Sequence, residues 1–187
     1  MREDLEEILY QYEVLERGHF LLTSGLHSEF YFEKAKILQH PNLVETFARR
    51  LKENFQKEEI SLVVGPTTGG VVIAYEVARQ LAARFCYAER ENSQRKIRKG
   101  FKIKKRERVL VVDDVLTTGS SIKETINALK EYEVQIVGIG VFIDRSAGVN
   151  FPFPLFACYR KEIPNYEPNS CPLCTRGIPL SIPGKGK

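Results

Sequence analysis

Apolar positions recur along this chain with two different periods. Between residues 3 and 16 they fall at Leu5, Ile8, Leu9 and Tyr12, the i, i+3, i+4, i+7 spacing of an amphipathic helix that Gly18 would close. A second helical stripe, Val44, Phe47, Ala48, Leu51 and Phe55, begins at Asn42, with Glu45 three residues on in the spacing of a capping box. Between the two helices, the turn Thr23-Ser24-Gly25 separates two aromatic, strand-like pieces. From Ile60 the pattern changes to short continuous apolar runs, Ile60–Val64, Phe85–Ala88, Val109–Val112 and Gln135–Ile143, which read as strands buried on both faces. Helical stretches alternate with them, one over residues 71–84 and one carrying Ile122, Ile126 and Leu129. That alternation predicts an α/β domain with a mainly parallel sheet. Proline breaks the run Phe151–Phe156, and Leu155–Tyr159 reads as one last strand.

Composition adds little until it is located. With 187 residues, 43% hydrophobic and 28% charged, the chain is an ordinary globular one, large enough for a full domain core. It contains no apolar run long enough to span a bilayer, and its first residues lack the apolar core of a signal peptide, so a cytoplasmic location is expected. The net charge of +4 is unevenly placed: Arg90 to Arg108 holds ten Lys/Arg against two Glu, a local +8 that leaves −4 elsewhere. Few residues between 89 and 107 can pack, which predicts a mobile basic loop or ribbon. Such a segment suits nucleic acid, or closure over a polyphosphate.

Of the four cysteines, Cys86 and Cys158 lie in strand-like apolar context and are expected to be buried thiols. Cys171-Pro-Leu-Cys174 supplies two ligands where structural zinc needs four, and neither a sequence-near histidine nor a second cysteine pair completes the set. Its position does not suit a thioredoxin-like redox centre. It is expected to act as a structural clasp, with its redox state open.

The chemistry concentrates in Arg108-Val-Leu-Val-Val-Asp-Asp-Val-Leu-Thr-Thr-Gly-Ser-Ser121. A buried strand ends in two carboxylates, Asp113 and Asp114. A short hydroxyl-rich turn follows and opens a helix. Ligands of open α/β sheets bind beyond the C-terminal strand ends, and helix N-termini hold phosphates. The paired acids suit vicinal hydroxyls or a shared magnesium ion. Capping accounts for one or two of these residues, not for two acids followed by five small polar ones. The turn Gly65-Pro66-Thr67-Thr68-Gly69-Gly70 ends another strand, and its glycines allow a backbone to approach an anion closely. No Walker A loop is present.

The Asp113–Ser121 stretch resembles the phosphoribosyl-pyrophosphate (PRPP) motif of the type I phosphoribosyltransferases. Phe20, Leu22, Ser24, Gly25, Ser28, Tyr31 and Phe32 resemble the N-terminal signature of the orotate phosphoribosyltransferase family, and Asp144-Arg145 resembles its orotate-contacting pair. The resemblance spans nearly the whole chain. It implies a type I phosphoribosyltransferase fold in a single domain, residues 1–187. Residues 1–36 and about 150–187 would form a small hood and tail, about 57–148 the PRPP-binding core, and 89–107 the mobile basic loop. It implies PRPP contacts from Asp113, Asp114, Val115, Leu116, Thr117, Thr118, Gly119, Ser120 and Ser121, and pyrophosphate contacts from Thr67, Thr68, Gly69 and Gly70. Cations would come from Arg90, Arg98 and Lys99. Orotate would meet Thr117, Arg145, Tyr31, Phe32 and Ser24, with Arg145 matching the carboxylate. The catalytic candidates are Asp113, Asp114, Arg90 and Lys99. Mg²⁺ is the implied cofactor, held mainly through substrate, with Asp113 or Asp114 as protein ligand. A homodimer is implied, its basic loop reaching the neighbouring site, with no membrane and no nucleic acid as partner. Two other readings stay open: transfer to a purine or another base, and a PRPP-sensing regulator that binds nucleic acid through residues 90–108.

Overall fold

A computed structural model describes residues 4–183. Glu3, the first residue of the expected N-terminal helix, and Gly184, of the Pro-Gly pair near the C-terminus, lie outside the described residues. In chain order the elements are α1 (Leu5–Gln11), β1 (Leu15–Leu21), β2 (His27–Phe32), α2 (Lys34–Gln39), α3 (Pro41–Phe55), β3 (Leu62–Pro66), α4 (Gly69–Leu81), β4 (Arg84–Glu91), β5 (Gln94–Ile97), β6 (Arg108–Leu116), α5 (Ser120–Leu129), β7 (Gln135–Asp144), β8 (Leu155–Arg160), β9 (Asn165–Tyr166) and α6 (Pro172–Thr175). They divide into two compact units, His40–Lys161 and Met1–Gln39 with Glu162–Lys187.

The central unit is a six-stranded sheet in the order β5-β4-β3-β6-β7-β8. All neighbours are parallel except β5, which turns back antiparallel on β4. Side-chain alternation sorts the strand residues between two layers. Leu62, Val64, Val109, Val111, Ile139 and Val141 pack with Ile122 and Leu129 of α5. On the other face, Gly138 and Gly140 leave room for Phe55 and Leu51 of α3, and Phe142 stacks on Phe47 at 4.9 Å. Residues 150–161, expected in the tail, belong to this unit instead. Parallel pairing of β8 along β7 ties them to the sheet, and the division falls at Glu162.

Local chemistry moved two expected helix ends. The first helix stops at Gln11, because Glu13 turns left-handed at φ 52° and the buried pair Val14 and Leu15 leads into β1. α3 starts at Pro41, whose fixed φ suits the first helical position. The expected Asn42–Glu45 capping box is therefore inside the helix, and the Asn42 carbonyl accepts from Thr46 Oγ1 at 2.9 Å.

In the terminal unit, β2 pairs antiparallel with both β1 and β9. The tail runs back along β1, where the Ser181 amide donates to the His19 carbonyl at 2.8 Å and the Leu21 amide donates to the Ser181 carbonyl at 2.9 Å. Among the described residues no helix is long and apolar enough to cross a membrane.

Candidate active site

β3 and β6 lie side by side with Val64 opposite Val111, so the turns that follow them emerge at the same edge of the sheet. Asp113 and Asp114 are 7% and 3% exposed at this edge. The Asp114 amide donates to Asp113 Oδ1 at 2.9 Å, and the Val115 amide donates to Asp114 Oδ1 at 2.6 Å, which fixes both carboxylates against their own backbone. The glycine turn packs directly against them. A side chain at Gly69 would overlap Asp114 Oδ2, and one at Gly70 would stand 2.6 Å from Pro66 Cδ and 3.2 Å from Asp113 Oδ1. Bare backbone is thus required where the helix α4 begins. The Thr67–Thr68 peptide in this turn is cis.

Two helix N-termini meet this edge, and in neither does the N-cap side chain cap the first-turn amides: Thr68 precedes α4 and Gly119 precedes α5. Open first-turn amides favour an anion. Gly119 sits at φ 75°, and a Cβ there would lie 2.9 Å from both Phe151 and Val149, so both conformation and space demand glycine. Thr118 Oγ1 and Ser120 Oγ are 2.8 Å apart, one donating to the other, while Thr117 is exposed. Leu116 pairs with Asp144, and the amide of Arg145 donates to the Leu116 carbonyl at 3.0 Å, which brings Arg145 next to the start of the hydroxyl turn. Asp144 is 4% exposed and accepts from Arg160 Nε at 2.9 Å and from Ser146 Oγ at 2.7 Å. It therefore anchors the turn that carries Arg145.

The basic segment forms a ribbon in its first half: β4 and β5 pair through Arg90↔Arg95, around a turn at Asn92. Contrary to the sequence expectation, several of its residues pack. Ile97 is buried, Phe101 and Ile103 lie against the α5-side core, and Glu107 is buried beside Arg84, with which it pairs. Its cations are largely matched by acids: Arg90 and Arg95 with Glu124, Arg98 with Glu89, Lys96 with Glu91 and Lys105 with Glu133. Glu91 is already counted in the local +8, but Glu89, Glu124 and Glu133 lie outside the segment and offset part of that charge, which weakens the field a nucleic acid would feel. Lys99 is exposed in the turn that follows β5.

Arg95 is the residue that sequence reasoning missed. Only 8% exposed, it donates from Nη1 to the Ala88 carbonyl at 3.0 Å and to Thr67 Oγ1 at 3.3 Å, directly behind the glycine turn. The signal was present in the two-residue alternation of the ribbon, which turns Arg95 and Ile97 inward and Lys96 outward.

In the terminal unit, Ser24 is exposed in the turn between β1 and β2, and Tyr31 is half-buried with its ring 5.7 Å from that of Phe20. Phe32 is 6% exposed and adjacent to Tyr31 on one strand, so the two project to opposite faces. A pocket facing Tyr31 is thus not faced by Phe32. The expectation that nothing completes the Cys171–Cys174 pair is overturned: His19 and His27 lie beside it.

Comparison with known proteins agrees with this geometry. Residues 34–158 match the phosphoribosyl transferase domain family. The orotate phosphoribosyltransferase of Caldanaerobacter subterraneus subsp. tengcongensis is 47% identical over 187 residues, covering 100% of this chain and 98% of that protein. The one from Caldicellulosiruptor saccharolyticus is 49% identical over 176 residues, 94% of this chain and 92% of that one. Among solved structures, orotate phosphoribosyltransferase from Aeropyrum pernix is 26% identical with a TM-score of 0.72, covering 84% of this chain and 93% of that one. Adenine phosphoribosyltransferase from Rhodothermus marinus, at 22% identity and a TM-score of 0.60 over 70% and 86% of the two chains, shares the fold alone. The paired aspartates, the glycine turn against them and near-full-length identity of this size agree: the chain belongs to the phosphoribosyl transferase domain family and, within it, to the orotate phosphoribosyltransferases.

Proposed function

We propose that the protein transfers the phosphoribosyl group of PRPP to orotate, giving orotidine 5′-monophosphate and pyrophosphate on the de novo route to UMP. The observation that carries this reading is the contact of Asp113 and Asp114 with the Gly69–Gly70 backbone, beside the hydroxyl turn at the start of α5. A ribose held by the acids would place its 5′-phosphate in the hydroxyl turn and its pyrophosphate on the glycine turn. Breaking the C1′–pyrophosphate bond builds positive character on the ribose and negative charge on the leaving group. The buried carboxylates face the first, and the amides that follow Thr67 in the turn to Gly70 face the second. No covalent intermediate with the protein is needed, because positioning and electrostatics act on both charges.

Thr117, Thr118, Ser120 and Ser121 are assigned to the 5′-phosphate and Asp113 and Asp114 to the ribose hydroxyls. Thr67 to Gly70 take the pyrophosphate, with Arg95 holding that turn from behind. Arg90, Arg98 and Lys99 are the candidate cations for the departing charge. All three are exposed, and Arg90 and Arg98 are engaged by Glu124 and Glu89. Arg145 takes the orotate carboxylate. Ser24, Tyr31 and Phe32 are proposed for the base on the resemblance alone, with Tyr31 and Phe32 on opposite faces of β2. The all-oxygen donors Asp113 and Asp114 fit Mg²⁺, which when bound with the polyphosphate neutralises leaving-group charge. We further propose a dimer, supported by Val72 and Tyr75, exposed one turn apart on α4 at 44% and 60%.

The test is pyrophosphate release from PRPP and Mg²⁺ with orotate, uracil, adenine, hypoxanthine and xanthine in parallel. Release with orotate alone is expected. Release with a purine would overturn the assignment of Arg145, and PRPP binding without turnover on any base would favour a sensing role.

A further inference from the structure

Four potential ligand atoms converge in the terminal unit, outside every group assigned above. His19, His27, Cys171 and Cys174 each offer one, and all four atoms lie within 4.8 Å of one another. His19 Nε2 is 2.9 Å from His27 Nδ1, 3.6 Å from Cys171 Sγ and 3.7 Å from Cys174 Sγ, and Cys174 Sγ is 3.3 Å from His27 Nδ1. A tetrahedral zinc with Zn–S of about 2.3 Å and Zn–N of about 2.0–2.1 Å has ligand–ligand edges of about 3.3–3.8 Å. Of the six separations among four ligands, three of these four fall in that range, and the histidine pair needs to part by a few tenths of an ångström. The two remaining pairs, Cys171 with His27 and Cys171 with Cys174, lie within 4.8 Å and need to close by up to about 1 Å. We propose that His19, His27, Cys171 and Cys174 form a structural zinc site that fastens the C-terminal tail to the β1–β2 hairpin.

The backbone is built to bring these residues together. Before the irregularity in β1, Arg17 pairs with Phe30; after it, Phe20 pairs with Ser28. In an unshifted ladder His19 would face the same side as Ser28, and therefore the opposite side from His27. The one-residue shift reverses this parity and puts both imidazoles on one face. His19 Nδ1 stands 2.7 Å from the Ile178 carbonyl, an acceptor only, so Nδ1 carries the proton and Nε2 turns a lone pair into the cluster. A carbonyl orienting the far nitrogen of a ligand histidine is the usual second partner of a zinc imidazole. The two cysteines sit at the ends of the Cys-x-x-Cys spacing across the first turn of α6, and both are free thiols.

The rival reading is a hydrogen-bonded polar cluster, or a disulfide between the cysteines. Against it stands the composition of the cluster. Its members are two imidazoles and two thiols, with His19, His27 and Cys171 only 2%, 5% and 2% exposed. The number and type match a closed N₂S₂ set, which selects zinc over harder cations and leaves no open position for catalysis. The tail also needs a fastening. Leu173 is its one large aliphatic side chain below 2% exposure, while Leu180 and Ile182 are 45% and 47% exposed. A segment with so little apolar burial gains order from a metal cross-link that ties residues 19 and 27 to residues 171 and 174.

The full-length chain, made in zinc-supplemented medium and kept reduced, is expected to carry about one zinc per chain by elemental analysis. Cobalt(II) substitution should give the visible ligand-field bands of a tetrahedral ion together with thiolate-to-cobalt charge transfer. Cys174→Ser, at the exposed corner, should lower the charge-transfer intensity to roughly half, and a Cys171→Ser, Cys174→Ser double variant should carry no zinc. Wild-type protein that stays zinc-free after exposure to the ion, with Cys171 and Cys174 both open to thiol alkylation, would overturn the site. So would a Cys171–Cys174 disulfide in the reduced preparation, or unchanged zinc content in the double variant. The wild-type measurement decides even if a variant fails to fold, and none of these readouts passes through transferase activity.

Discussion

A methyl group on Gly69 has no free volume, because Asp114 Oδ2 occupies the place where it would go. Asp114 is 3% exposed and its other oxygen is held by the Val115 amide, so it can yield only by breaking that bond or by pushing α4 away. Gly69→Ala should therefore lower kcat/KM for PRPP by about 10²-fold, the usual cost of a displacement near 1 Å at a reacting centre. Steady-state kinetics at saturating orotate would show it, and wild-type values would remove Asp114 from the ribose role. Cys86 makes a different prediction. Burial, with the Glu107 carboxylate adding to it, pushes the thiol from 9.0 up to about 12. The folded state thus keeps a proton that the unfolded chain releases. The corresponding stability is whole below pH 9 and is lost as pH rises from 9 to 12, at up to about 1.4 kcal/mol per pH unit. The urea midpoint should fall more steeply over that range in the wild type than in Cys86→Ala; equal slopes would reject the shift. At this scale the sequence was readable where chemistry is contiguous, as in Asp113 to Ser121. It was silent where function depends on spatial neighbours. His19 and Cys171 are far apart in sequence, and the parity change between Arg17 and Phe20 that unites the histidines leaves no mark in composition.

The β4–β5 ribbon separates cations by what surrounds them. Arg95 is buried against Thr67 and Ala88 and reaches Glu124, whereas Lys99 stands in an exposed turn of the same segment. Arg95→Ala removes the charge-assisted hydrogen bonds to Thr67 Oγ1 and to the Ala88 carbonyl, which keeps only the Thr67 amide as donor, and should cost about 1–3 kcal/mol of stability. It should also raise KM for PRPP, since Thr67 loses its support. Lys99→Ala should keep the melting temperature within a degree and lower kcat alone. Thermal melts and kinetics on both variants test this, and an identical pair of phenotypes would defeat the distinction. The alternation of Arg95 and Ile97 was available in advance, but ten cations over the segment outweighed it and suggested solvent on all sides. The parallel strands, by contrast, were legible throughout, because burial on both faces enforces unbroken runs such as Val109–Val112. β8 was recognisable as a strand yet assigned to the tail, since nothing in Leu155–Arg160 says which strand it pairs with.

Across the whole molecule, the remaining question is which chain supplies the cation that meets the departing pyrophosphate. The resemblance implies that the basic segment of one subunit serves the site of its neighbour. If so, Asp114→Asn and Lys99→Ala damage different sites in a mixed dimer. Asp114→Asn keeps the acceptor that the Val115 amide uses, so it should fold normally, and Lys99 is exposed. Each variant alone should be poorly active. After mixing and subunit exchange, random pairing makes about half of the dimers mixed, and each of those contains one site with an intact Asp114 and an intact lysine from its partner. Activity should recover to about one quarter of wild type per site, with no recovery before exchange. If the lysine instead serves its own chain, every mixed dimer still pairs each intact group with a damaged one, and activity stays at the average of the two variants. The recovered fraction therefore distinguishes a shared site from a self-contained one without any knowledge of how the two subunits meet.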